Sequence, residues 1–171
     1  HRSVGENLIN DGGIYRLLEM LDSGMYLCDF NQNTGALRDD SGTKKTSYDM
    51  PGGDTHPSNY AELFSDGYTS EFKDFVMSHD VVVVKSCYPN SNIKNDTQLE
   101  KIKREYDTIA GFFGDNPEKK LVIMTSPPLR PTSTTSANAA RARQLADWLK
   151  NPESPKNVSI FDFFHLLASS D

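Results

Sequence analysis

Apolar residues recur along this chain with two periods, one helical and one extended. Ile14, Leu17, Leu18 and Leu21 fall at i, i+3, i+4 and i+7, which predicts a helix over Gly13 to Leu21 with one buried stripe and Gly24 as its stop. Met25 to Phe30 reads as a short strand. The stretch from Asn31 to Ser58 is polar, carries Gly, Asp, Asn and Thr, and has no apolar period, so it reads as a long loop of the kind that is functional or disordered in compact domains. Tyr68 to Met77 reads as a helix, and His79 just beyond it is placed to meet the last carbonyls and the helix dipole.

The second half of the chain is more regular. Val81-Val82-Val83-Val84 is β-branched throughout, as expected of a central parallel strand covered on both faces. Thr97-Gln98-Leu99-Glu100 fits a capping box, and Leu99, Ile102, Tyr106, Ile109 and Phe113 carry a helical stripe to Gly114. A strand at Leu121 to Met124, an Ala-rich helix at Ser136 to Lys150 and a strand at Val158 to Phe161 follow. Strands alternating with helices predict an α/β fold with a mostly parallel sheet, helices on both faces and active residues at the carboxyl ends of the strands. The segments after each strand are therefore where chemistry is sought.

Composition narrows the choices. The chain has 171 residues with 18 Lys+Arg against 24 Asp+Glu, a formal net charge of −6, which argues against a general binder of nucleic-acid backbones. No run approaches the roughly 18 apolar residues that span a bilayer. Cys28 and Cys87 are too few for a disulfide scaffold and lack metal-ligand spacing, no His/Cys/Asp cluster suits zinc or calcium, and no cofactor is expected. Gly42-Thr43-Lys44-Lys45 has only a superficial phosphate-loop look and reads as a solvated loop. The sequons at Asn95 and Asn157 carry no weight by themselves.

Three segments hold the atoms that acyl transfer needs. In His1-Arg2-Ser3-Val4-Gly5-Glu6-Asn7, Ser3 precedes a helix whose first N–H groups could face an oxyanion, although a serine there also suits a helix cap. In Met50-Pro51-Gly52-Gly53-Asp54-Thr55-His56-Pro57, a turn could present the N–H of Gly53, with Gly52 equally available. Lys85-Ser86-Cys87-Tyr88-Pro89-Asn90-Ser91-Asn92 follows the Val81 to Val84 strand and offers the amides of Asn90 and Asn92.

HRSVGENL, PGGDTHP and KSCYPNSNI together resemble the SGNH/GDSL hydrolase family, in a divergent form whose first block reads His-x-Ser-x-Gly-x-Asn. The resemblance implies a three-layer α/β/α, flavodoxin-like domain over residues 1–171, lacking its first strand and its C-terminal block. It also implies Ser3 as nucleophile, Gly53 and Asn90 as oxyanion donors, and an Asp/His pair at DxxH spacing. Three accounts of that pair stay open: Asp162 with His165, Asp54 with His56, which is one residue short of the spacing, or a pair beyond Asp171. The implied activity is that of a serine esterase on an O-acyl ester, such as that of a carbohydrate or another small molecule. A sugar O-acyltransferase would use the same residues, and the rival from another class is a non-catalytic carbohydrate- or partner-binding domain with Asn31 to Ser58 as its surface. If the pair lies beyond Asp171, the chain alone is expected to hydrolyse p-nitrophenyl acetate little or not at all.

Overall fold

A computed structural model of the chain describes residues 12–21, 27–31, 35–39, 41–150 and 153–168. These fall into two compact units, one ending at Asp49 and one starting at Met50. The class is α/β, with two three-stranded sheets, one in each unit.

In the first unit the sequence reading is partly overturned. Helix α1 (Ile14–Leu21) forms where the period places it, but Leu17, Met20 and Leu21 are exposed, so its stripe is not buried as expected. Gly24 lies outside the described residues. Strand β1 (Asp29–Asn31) falls at the end of the predicted Met25 to Phe30 strand, and β2 (Ala36–Arg38) and β3 (Lys44–Ser47) continue it as an antiparallel meander through what reads as loop. β2 and β3 are three and four residues long, and of their positions only Ala36 and Leu37 are buried, too few for a period of two to show. The β2–β3 turn is instead organised by Asp39, whose Oδ1 accepts from the Ser41 hydroxyl at 2.6 Å and from the Thr43 N–H at 2.8 Å. Hydrogen bonds from Lys45 and Ser41 hold its carboxyl well below the ordinary range. Gly42, at φ +78°, sits in this exposed turn, which accounts for the phosphate-loop resemblance of its neighbours.

The second unit is built on a parallel sheet of β4 (Val81–Lys85), β5 (Lys120–Met124) and β6 (Val158–Phe161), in that order. Two crossover helices connect these strands: α4 (Asp96–Gly114) and α5 (Ser136–Leu149). The helices pack on each other, and α4 also lies against β5 and β6. Within this sheet β4 is an edge strand, not a central one, and only alternate valines are covered. Val82 and Val84 are buried, whereas Val81 and Val83 are 50% and 55% exposed. A run of four valines satisfies a one-sided strand as readily as a two-sided one, so the pattern could not tell the two apart.

Two further helices, α2 (Pro57–Leu63) and α3 (Glu71–Met77), precede the sheet, and α6 (Phe163–Ala168) follows it. α2 packs on α4, and Phe64 just after it meets Phe113 edge-on with ring centroids 5.1 Å apart. The cap of α4 is Asn95 and not Thr97: Asn95 Oδ1 accepts from the Gln98 N–H at 2.9 Å, and Gln98 Oε1 reaches back to the Lys94 N–H at 2.8 Å. The expected role of His79 holds, since its Nδ1 lies 2.9 Å from the Phe75 carbonyl in the last turn of α3. Cys28 and Cys87 are not joined in a disulfide. Among the described residues no helix is long and apolar enough to cross a membrane.

Asn157 ties the α4–β5 connection to the start of β6. Its side-chain amide donates to the carbonyls of Phe113 at 2.6 Å and Lys119 at 2.8 Å, with Asn116 at 3.3 Å. This sequon asparagine therefore spends its amide internally. Asn157→Ala removes all three bonds, although the Phe113 and Asn116 carbonyls keep backbone N–H donors at 3.1 and 3.0 Å, and is expected to cost about 1 kcal/mol, read as a lowered midpoint in urea with an unchanged m-value.

Candidate active site

The carboxyl end of β4 leads into Ser86, which is 1% exposed, and then into a short 3₁₀ turn, Tyr88–Ser91, that carries Asn90. The Ser86 hydroxyl donates to the Thr55 carbonyl at 3.0 Å and accepts from Asn90 Nδ2 at 2.7 Å. One buried hydroxyl thus joins the Pro51–Pro57 segment to Asn90, two stretches that the sequence reading singled out separately. Asn90 Nδ2 carries two protons, and the bond to Ser86 uses one. Tyr60 on α2 adds a second tie, its hydroxyl donating to the Lys85 carbonyl at 3.1 Å. Below Ser86 stands the buried phenol of Tyr106 from α4. Burial pushes this phenol well above its ordinary range, against the opposing pull of Ser86 and Ser126.

The glycine turn differs from its expected arrangement. Gly52 and Gly53 lie at φ +64° and +69°, backbone that favours glycine. The N–H of Gly53 closes the turn by donating to the Met50 carbonyl at 2.9 Å, so this single proton is not presented to a ligand as expected. Among the described residues Gly52 N–H makes no such bond, and Gly52 has a second requirement: a Cβ there would stand 2.7 Å from the Asn59 side-chain amide. A tight turn needs an internal hydrogen bond, and the second glycine supplies it.

His56 is likewise committed locally. Its Nδ1 accepts from the Ser58 N–H at 3.2 Å and lies 2.7 Å from the Ser58 hydroxyl, capping α2. The Asp54 carboxylate does not hold the ring. It accepts from the His56 backbone N–H at 2.8 Å and from Asn59 Nδ2 at 2.7 Å. Asp54-Thr55-His56 is therefore a helix-entry motif in this structure and not the Asp/His pair of a triad, in which a carboxylate meets the imidazole Nδ1–H.

Asp162 and His165 do meet. Asp162 follows β6 and caps α6, accepting from the His165 N–H at 3.2 Å. The His165 ring presents Nδ1 to both carboxylate oxygens at 2.8 and 2.9 Å. Its Nε2 is 3.5 Å from Asp147, and Lys150 bridges the two carboxylates at 3.0 and 2.9 Å. A triad base needs that second nitrogen directed at the nucleophile. Ser3 lies outside the described residues. Among them no three His, Cys, Asp or Glu side chains are grouped to hold a metal ion.

One residue at this site escapes the sequence reading. Glu105 is 8% exposed, its Oε2 has no hydrogen-bond partner among the described residues, and Lys101 is 3.8 Å from its other oxygen. Burial pushes its carboxyl up, while the charges of His56, Lys101 and Arg104 pull the other way. The signal was present, because Glu105 lies three residues after Ile102 on the stripe that α4 buries. Comparison with known protein families, with curated proteins and with solved structures finds no match in any of the three.

Two outcomes follow from the site. Ser86→Ala leaves the Thr55 carbonyl and the Asn90 amide without their partner and is expected to cost about 1–3 kcal/mol by denaturant titration. A carboxyl raised in the folded state contributes stability that is present below its unfolded value, near 4.5, and lost as pH rises through the raised value. Glu105→Gln is therefore expected to gain stability relative to the wild type as pH rises from 4.5 to neutrality. Parallel stability curves for the two proteins would show that Glu105 does not titrate this way.

Proposed function

We propose that the chain carries the oxyanion-binding side of a serine ester-hydrolase centre of the SGNH/GDSL type, on a three-layer, flavodoxin-like α/β/α domain. The observation behind this reading is the Ser86 bridge, which ties Thr55, two residues beyond the glycine turn, to Asn90 at the carboxyl end of a parallel strand. In this reading Ser3 is the nucleophile and an O-acyl ester, such as that of a carbohydrate, is the substrate. Asn90 Nδ2 and a backbone N–H of the glycine turn receive the oxyanion, with Gly52 taking the place of Gly53, whose proton is spent on Met50.

The chemistry is ordinary acyl transfer. The Ser3 hydroxyl attacks the ester carbonyl as its proton leaves to a base, the carbonyl oxygen gains the negative charge, and collapse expels the alcohol and leaves an acyl-serine that water cleaves. Neither His56, whose Nδ1 caps α2, nor His165, whose Nε2 faces Asp147, has the environment of that base in this structure.

An external base makes the reading testable on the chain itself. With p-nitrophenyl acetate and imidazole, intact-mass and peptide analysis is expected to find an acetyl group on Ser3 that is absent in Ser3→Ala. Asn90→Ala is expected to slow its formation by about 10²-fold, the usual loss for one oxyanion donor. No adduct on Ser3, or an equal rate in Asn90→Ala, rejects the assignment. Binding of an acetylated oligosaccharide with no adduct would favour the rival, a binding domain without turnover.

A further inference from the structure

The Asp-x-x-His motif at 162–165, which the proposed centre does not use, makes a different device. We infer that Asp147, Lys150, Asp162 and His165 form a pH-dependent clasp that holds α6 onto the end of α5, closing most tightly when the His165 ring carries its second proton. This inference stands independently of the hydrolase reading.

The groups come from three elements. Asp147 and Lys150 stand at the end of α5, Asp162 directly follows β6, and His165 lies on α6, which packs against α5. Lys150 touches Asp147 at 3.0 Å and Asp162 at 2.9 Å, so one ammonium already serves both carboxylates. His165 stands between the same two, with Nδ1 at 2.8 Å from Asp162 and Nε2 at 3.5 Å from Asp147. Among the described residues the ring also meets Phe164 at 5.3 Å between centroids, and Arg143 lies over that Phe164 ring at 5.7 Å.

A neutral imidazole has one N–H. Placed on Nδ1 it serves Asp162 and turns the lone pair of Nε2 toward Asp147, where lone pair and carboxylate repel. An imidazolium donates from both nitrogens and balances the second carboxylate. Protonation of the ring makes the outer contact, Nε2 to Asp147, and deprotonation unmakes it, while the inner one persists. The burial of Asp162 works against its charge, and the hydrogen bonds from Lys150 and His165 outweigh it, leaving that carboxylate ionised through the whole range.

The mechanical consequence falls on α6. Its apolar anchors, Phe163 and Phe164, are buried, and the Phe164 N–H donates to Thr125 Oγ1 at 2.7 Å, directly after β5. Leu166 and Leu167 are 64% and 51% exposed. Six residues with that little burial form a marginal helix, so a change at the clasp is read out as fraying or docking of α6.

Hydrogen exchange by mass spectrometry on the full chain tests this. After correction for the intrinsic pH dependence of exchange, the amides of 163–168 are expected to be about two- to fivefold better protected at pH 5.5 than at pH 8.0, the effect of one partly exposed ion pair. His165→Gln is expected to remove that difference while peptides from β5 and α4 keep their protection. Asp147→Asn, a change at an exposed carboxylate, serves as the second variant and is expected to shrink the difference while Lys150 still holds Asp162. Equal protection of wild-type α6 at the two pH values overturns the clasp, as does a pH difference that survives undiminished in either variant.

Discussion

The unit from Met50 onward depends on the burial of one face of α4. Leu99, Ile102, Tyr106, Ile109 and Phe113 are each at most 3% exposed, and the helix that carries them packs against α2, α5, β5 and β6. A parallel pair of strands cannot be joined by a tight turn, so the chain between β4 and β5 has to cross a face of the sheet. A long helix with one apolar stripe is the segment that does so while satisfying its own backbone. Everything at the candidate site is then placed relative to α4. The stripe carries Tyr106 beneath Ser86, and the aromatic contacts of Phe113 and Phe112 with Phe64 fix the far end of α2. It also draws in Glu105, whose position on the stripe leaves its side chain 10% exposed and one carboxylate oxygen without a hydrogen-bond partner among the described residues. The cost of that carboxyl is accepted because the neighbouring apolar positions determine the orientation of the helix.

The sequence was most legible where a period runs long enough to be unambiguous. α4, α5, β5 and β6 were read nearly to their ends, because a stripe of five residues or a run of four β-branched and aliphatic residues between turn signals has few other interpretations. The meander reads as a strand only at its start, Asp29 and Phe30, and as loop from Asn31 on, since β2 and β3 alternate over too few residues and their turn is set by Asp39. The capping residue of α4 was misplaced by two positions for a related reason. Asn95 and Thr97 are both good caps, and the choice fell to the one whose Gln98 partner could also reach the Lys94 N–H. The valines of β4 were legible as a strand but not as an edge, because exposure depends on which strand pairs beside them.

At the candidate site, residue types were easier to read than their hydrogen bonds. The resemblance of the segments is what pairs Asn90 with the glycine turn, and the Ser86 bridge ties Asn90 to Thr55 just beyond that turn. That Gly53 spends its N–H on Met50, or that His56 gives Nδ1 to Ser58, could not be read from composition. Both are local bonds that compete with any ligand for the same atom. Short polar segments offer several such partners within four residues, and only the backbone angles decide which is taken. The positive φ at Gly52 and Gly53 is that decision, and it turns one N–H inward.

The Asp-x-x-His spacing shows how far a motif alone carries. When an aspartate caps a short helix, the residue three positions on is the one whose N–H it accepts, and a histidine there is delivered to the same carboxylate by helix geometry. The bonds from His165 to Asp162 follow from that capping arrangement and would form with or without a nucleophile nearby. The distance between carboxylate and ring therefore does not distinguish a catalytic pair from a structural one. The distinction rests with Nε2, which a catalytic pair directs toward the reacting hydroxyl and this structure directs toward Asp147. Each nitrogen of this ring faces a carboxylate, so neither is left to relay a proton to a third group.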